Sequence, residues 1–178
     1  MRSPKSVLLL VAALLAGCLG GPPLRTGSEC AAPERVDEWR TFAWIGTPAS
    51  RREATALPPE TVEYLEAALV DAVQEQGLRL APPERADLLL GYRLTTTEFA
   101  DPRTDVAADW GCWGREEPAP DAPRSYTEAA LAVEMLERAT GTVVWRGWAT
   151  KELTLDDRMD PVGLARRAAD AVLDGWPR

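Results

Sequence analysis

Two runs of alternating hydrophobicity, residues 126–137 and 142–150, face each other across the turn-forming string Arg138-Ala139-Thr140-Gly141, and no other feature restricts the fold so sharply. In the first run Ala129, Leu131, Val133 and Met135 alternate with Ala130, Ala132, Glu134 and Leu136, a composition that suits a helix as well as a strand. The second run decides between them. Thr142-Val143-Val144-Trp145-Arg146-Gly147-Trp148-Ala149-Thr150 is dense in β-branched and aromatic residues, so the pair predicts an antiparallel hairpin.

Further elements flank it. Glu38 to Ile45 alternates, with Phe42 and Trp44 on one side and Thr41, Ala43 and Ile45 on the other, as in a strand. From Pro59 to Gln76, Val62, Leu65, Leu69 and Val73 recur at helical spacing; proline is tolerated in the first turn, and Gly77 can take the left-handed conformation that stops the helix. Leu78-Arg79-Leu80 is a short extended piece. Asp87 to Glu98 reads as another strand, in which Gly91 marks a bulge or a close backbone approach. Asp160-Pro161 opens a last helix, capped by the Asp side chain, with Val162, Ala165, Ala169, Val172 and Leu173 as its buried stripe and Gly175 as its stop.

The N-terminus has the three parts of an export signal: basic Arg2 and Lys5, an apolar stretch from Val7 to Ala16, and small residues before a cleavage point. The stretch is too short to cross a bilayer, which takes about 20 apolar residues in a helix. Leu15-Ala16-Gly17-Cys18 resembles the lipobox of bacterial lipoproteins, in which the Cys thiol is joined to diacylglycerol and its amine acylated after cleavage. Residues 1–17 are then a signal peptide and Cys18 becomes the lipidated first residue. More than one acyl chain gives a firm anchor, each buried methylene contributing roughly 0.8 kcal/mol. Leu19 after the Cys, where an Asp would otherwise stand, resembles sorting to the outer membrane, which predicts a periplasm-facing, lipid-anchored protein of the cell envelope. Residues 18–37 mix Gly, Pro, Ser and charge without periodicity and read as a flexible tether.

Removing residues 1–17 leaves 161 residues, enough for one domain over 38–178, with 18 basic against 28 acidic side chains and a net charge of −10. Nucleic acid is excluded as a partner by the lack of a basic surface. Once Cys18 is lipidated, Cys30 and Cys112 remain as an even pair in a compartment where disulfides persist, and a Cys30–Cys112 bond is expected. Cys112 lies in the long connection 99–124, rich in Pro, Asp, Gly and Ala, within Asp109-Trp110-Gly111-Cys112-Trp113-Gly114. Trp110 and Trp113 have two readings: indoles packed over a disulfide and the sheet, or an exposed platform for a glycan or a protein partner.

Arg40-Thr41-Phe42-Ala43-Trp44, Gln76-Gly77-Leu78, Ala86-Asp87-Leu88-Leu89-Leu90 with Tyr92, Gly141-Thr142-Val143-Val144-Trp145-Arg146-Gly147 and a final helix ending near Trp176-Pro177 together resemble the bacterial lipoprotein family known as domain of unknown function 4136. The resemblance covers roughly residues 38–177. It implies an α+β fold, an antiparallel sheet of about four or five strands with two helices packed on one face, carried on a lipidated tether. It carries no established activity to particular residues.

Catalysis is tested by elimination. The chain has no His, which removes Ser-His and Cys-His pairs and the commonest metal ligand. Lys151, the only lysine of the mature chain, reads as a solvated cross-strand partner. Asp101, Asp105 and Asp109 lack the spacing of a calcium loop, and no phosphate-binding loop occurs. No catalytic residue, metal site or cofactor is expected. Two functions stay open: a non-catalytic, lipid-anchored envelope protein that docks an envelope partner, and a ligand-binding module presenting Trp110 and Trp113 to a glycan.

Overall fold

The computed structural model describes residues 22–47, 58–100 and 125–177. Its strands are β1 (Arg25–Cys30), β2 (Thr41–Trp44), β3 (Arg79–Leu80), β4 (Leu88–Ala100), β5 (Ser125–Glu137) and β6 (Val143–Glu152). They form one open sheet in the order β1-β6-β5-β4-β2-β3. Its helices are α1 (Pro59–Glu75), the five-residue α2 (Leu155–Met159) and α3 (Pro161–Leu173), with a 3-10 turn over Pro33–Glu38.

The predicted hairpin is the middle of the sheet. β5 and β6 pair antiparallel from Glu128↔Glu152 to Met135↔Trp145, and a register shift follows between Met135 and Leu136. Gly141 closes the turn at φ 71°, a conformation that only glycine adopts freely. The same alternation sets the faces: Leu88, Leu90, Val133 and Met135 are fully buried beneath the two long helices. Those helices bring Leu65, Leu69, Val73, Ala169, Val172 and Leu173 into one core with the sheet.

Three expectations are corrected. The sheet has six strands, and it is mixed: β2 runs parallel to both β3 and β4. The parallel pairing follows from α1, which lies between β2 and β4 in the chain and supplies the crossover that parallel neighbours need. Asp87 then pins the start of the pair, its Oδ2 accepting from the Arg40 amide at 2.9 Å, the Thr41 amide at 3.0 Å and the Thr41 hydroxyl at 2.8 Å. Second, the stretch expected to be a flexible tether over 18–37 contains β1 and most of the 3-10 turn. β1 completes an edge of the sheet, Arg25 opposite Thr150 and Cys30 opposite Trp145, so backbone pairing orders a segment whose side chains show no pattern. Third, Val162 is 48% exposed and does not belong to the buried stripe of α3. The expected strand end at 98 extends to Ala100, and residues 101–124 lie outside the described residues.

Gly91 marks a close approach and not a bulge. The β4–β5 register runs through it unbroken, and a Cβ there would sit 3.2 Å from Ile45 Cγ2. The Trp145-Arg146-Gly147 string has a comparable explanation. The Trp145 indole folds back over Gly147, where a Cβ would fall 2.5 Å from Trp145 Cη2 and 2.8 Å from Val172 Cγ1. Its Nε1 donates to the Gly175 carbonyl at 3.2 Å, and its ring meets Trp176 edge-on with centroids 5.5 Å apart. Trp176 in turn lies 6.3 Å from Trp39, over which the Arg35 guanidinium sits at 5.4 Å.

Trp145→Ala should therefore cost about 3–5 kcal/mol in urea unfolding. Gly147→Ala, which overfills the same contact, should cost about 1–3 kcal/mol. A Trp145→Ala variant as stable as the parent would show that this packing does not hold the fold.

Candidate functional site

Most of the residues singled out from the sequence fall outside the described part of the chain. Cys18, Cys112, Trp110, Trp113 and the three loop aspartates lie outside the described residues. Cys30 ends β1, half-buried against the core and free among the described residues, and its expected partner Cys112 lies outside them. β1 is held to β6 by its own backbone ladder.

What the structure does bring together is an apolar cavity of about 130 Å³ between the sheet and the two long helices. Leu65 of α1, Leu94 of β4, Leu131 of β5 and Leu164 of α3 wall it, and Leu24, just before β1, closes one side. The volume of the cavity is about that of a benzene-sized group. No motif announces it, since the residues come from six parts of the chain.

Lys151 borders the cavity, and its role differs from the solvated cross-strand partner that was expected. It points to the helix side, where its ammonium pairs with the carboxylate of Asp157 in α2, the only buried charged side chain among the described residues. Asp157 Oδ2 also accepts from the Thr154 amide at 3.0 Å and the Thr154 hydroxyl at 2.8 Å, while the Thr154 hydroxyl accepts from the Asp157 amide at 3.2 Å. That reciprocal arrangement is a capping box, with Asp in place of the usual Glu or Gln. Arg167 approaches the other oxygen at 3.4 Å. Burial alone would raise the pKa of Asp157, but the Lys151 ammonium and the Thr154 donors outweigh it and hold the group down at about 2. Asp87 is likewise held below the usual carboxylate range, chiefly by the Arg40 amide and the Thr41 donors. Thr154-Leu155-Asp156-Asp157 was the available sequence signal for this clasp.

The other face of the sheet is covered by none of the described helices. The Arg146–Glu134 pair crosses β5 and β6 there at 2.7 Å, Trp148 lies over the backbone of Gly27 and is 36% exposed, and Phe99 stacks on Tyr126 with centroids 5.1 Å apart. Among the described residues no group of three or more acidic or Cys side chains is placed to hold a metal ion, and no helix is long and apolar enough to cross a membrane.

A six-stranded sheet with its long helices on one face defines the class as an open-faced α+β domain. The chain belongs to the family described as Domain of unknown function (DUF4136), whose model matches residues 33–178. Among solved structures it is similar to a PDZ domain protein from Parabacteroides distasonis, at TM-score 0.53 and 13% identity, covering 94% of this chain and 40% of that one. It is also similar to the PelC dodecamer from Paraburkholderia phytofirmans, at TM-score 0.48 and 14% identity, over 88% of this chain and 98% of that one. A minor lipoprotein from Acinetobacter baumannii matches at TM-score 0.39 and 14% identity, over 77% of this chain and 88% of that one. No curated protein matches the chain.

The lowered carboxylates set an acid limit. Asp157 ionises near 2 in the fold against an ordinary 3.8, so its stabilisation is complete above about pH 4 and lost as pH falls toward 2. Asp157→Asn leaves Lys151 without a charged partner and should cost about 3 kcal/mol at pH 7. Its stability should also vary less than the parent's between pH 4 and pH 2, followed by circular dichroism.

Proposed function

We propose that this chain is a non-catalytic protein held at the cell envelope by a lipid on Cys18, which docks an envelope partner through the helix-free face of its sheet. The observation that carries the docking reading is that face itself. Trp148, Phe99 and Tyr126 lie partly exposed on it beside the Arg146–Glu134 and Arg25–Glu128 ion pairs. Exposed aromatics with polar neighbours are the composition from which protein interfaces draw most of their energy. The anchoring reading is supported by Leu15-Ala16-Gly17-Cys18 and by the start of β1 only seven residues after that Cys. Seven residues reach at most about 25 Å, so the domain works close to its membrane. Leu19 supports the outer membrane, facing the periplasm, as the address.

Labelling growing bacteria with a palmitate analogue should add mass to the processed protein and none to Cys18→Ser. For docking, a photocrosslinker in place of Trp148 should give one discrete protein adduct in intact cells, and the same group in place of Glu63 on α1 should not. Equal, diffuse labelling at both positions would remove the docking reading.

A further inference from the structure

The short helix α2 is inverted relative to an ordinary surface helix. It buries its carboxylate, Asp157 at 5% exposure, and turns Leu155 and Met159 outward at 74% and 78%. Side chains four apart share a helix face, so these two form one apolar ridge. Val162, the second residue of α3 and three positions after Met159 in the chain, is also exposed. The orientation is enforced: rolling α2 to bury Leu155 would draw Asp157 away from Lys151. A single exposed apolar side chain is ordinary. A ridge of them kept outward by a buried ion pair is a contact surface in search of an apolar medium.

The path of the chain says which medium that is. Leu24 lines the same cavity as Leu153, Pro161 and Leu164, so the residue before β1 sits beside those that flank α2. β1 then runs away from this end, from Arg25 opposite Thr150 to Cys30 opposite Trp145. Cys18 precedes Leu24 by six residues, which span about 20 Å when fully extended. A lipid on Cys18 brings this end of the fold to the bilayer.

The geometry points to a membrane-contact surface made by Leu155, Met159 and Val162, which dips into the interfacial layer of the same bilayer that holds the lipid of Cys18. The inference rests on the lipid-anchored reading above and adds an orientation to it. Acyl anchoring supplies one membrane signal and the ridge a second. Together they fix which end of the domain meets the lipid, and leave Trp148 and the Arg146–Glu134 pair, further along the helix-free sheet face, to its partner. The mature chain's net charge of −10 makes the attraction apolar and not electrostatic, so it should operate on zwitterionic lipid.

The test uses the full lipidated protein in phosphatidylcholine vesicles, with photoreactive benzoylphenylalanine in place of Leu155, of Met159 or, as a control, of Leu80. Leu80 is itself 49% exposed but lies at the opposite end of the sheet, at the level of Phe42 and Leu88. Leu153 bonds to Thr127, which stands opposite Glu98, so the two levels are ten residues apart along β4, about 33 Å. After irradiation, phospholipid adducts at 155 and 159 should exceed those at 80 by about ten-fold, since an interfacial contact reaches only about 5–10 Å into the lipid. Equal adducts at the three positions overturn the inference, as do crosslinks from 155 and 159 to protein in place of lipid. The mass at Cys18, read in the same sample, separates the two failures. A lipidated Cys18 without adducts at 155 and 159 overturns the contact surface alone, and an unlipidated Cys18 overturns the anchor and the surface together.

Discussion

The indole of Trp145 is the contact on which the architecture turns. It leaves the helix-covered face of β6, lies back over Gly147, presses on Val172 of α3 and donates to the carbonyl of Gly175, just past that helix. Sheet and C-terminal helix are joined there by packing and by a hydrogen bond at once. Through Trp176 and Trp39 the contact extends to the N-terminal segment, where Arg35 covers the outer ring and pairs with Glu137 at 2.6 Å. Large aromatic side chains contribute heavily to small cores, and three of them here sit where three parts of the chain converge.

Polar interactions do a different task. Asp87 and Asp157 are both held below the usual carboxylate range, and each fixes a junction: Asp87 the start of the parallel pair β2–β4, Asp157 the short helix between β6 and α3. A buried ion pair contributes little net stability compared with apolar packing, but it penalises every arrangement that separates it. In α2 that penalty keeps Leu155 and Met159 outward. The result is a domain with distinct sides: helices over one face of the sheet, aromatics and ion pairs on the other, and an apolar ridge at the end where the chain comes in from Cys18.

Much of this was legible in the residues because it is local. The β5–β6 hairpin, α1 and the Asp160-Pro161 start of α3 each follow from periodicity and capping within about a dozen positions, and the family resemblance followed from the strings around them. The candidate cavity was not legible, since its wall is assembled from residues near 24, 61, 94, 131, 151 and 164, which meet only after the sheet and helices pack. Lys151 misled for the same reason. Its neighbours in sequence suggest solvent, and its partner is on the next element.

What the sequence alone determined is the β5–β6 hairpin, β4 and the two long helices, together with the lipobox-like string Leu15-Ala16-Gly17-Cys18, since hydrophobic period, turn chemistry and short motifs are properties of adjacent residues. Only the tertiary structure decided that β1 joins the sheet, that β2 runs parallel to β4, and that α2 faces outward with its leucine and methionine. Each of these depends on a partner in another element: β6 for β1, Asp87 for β2, and Lys151 at the end of β6 for α2. Backbone pairing and a buried ion pair satisfy groups that no local pattern marks as needing one another.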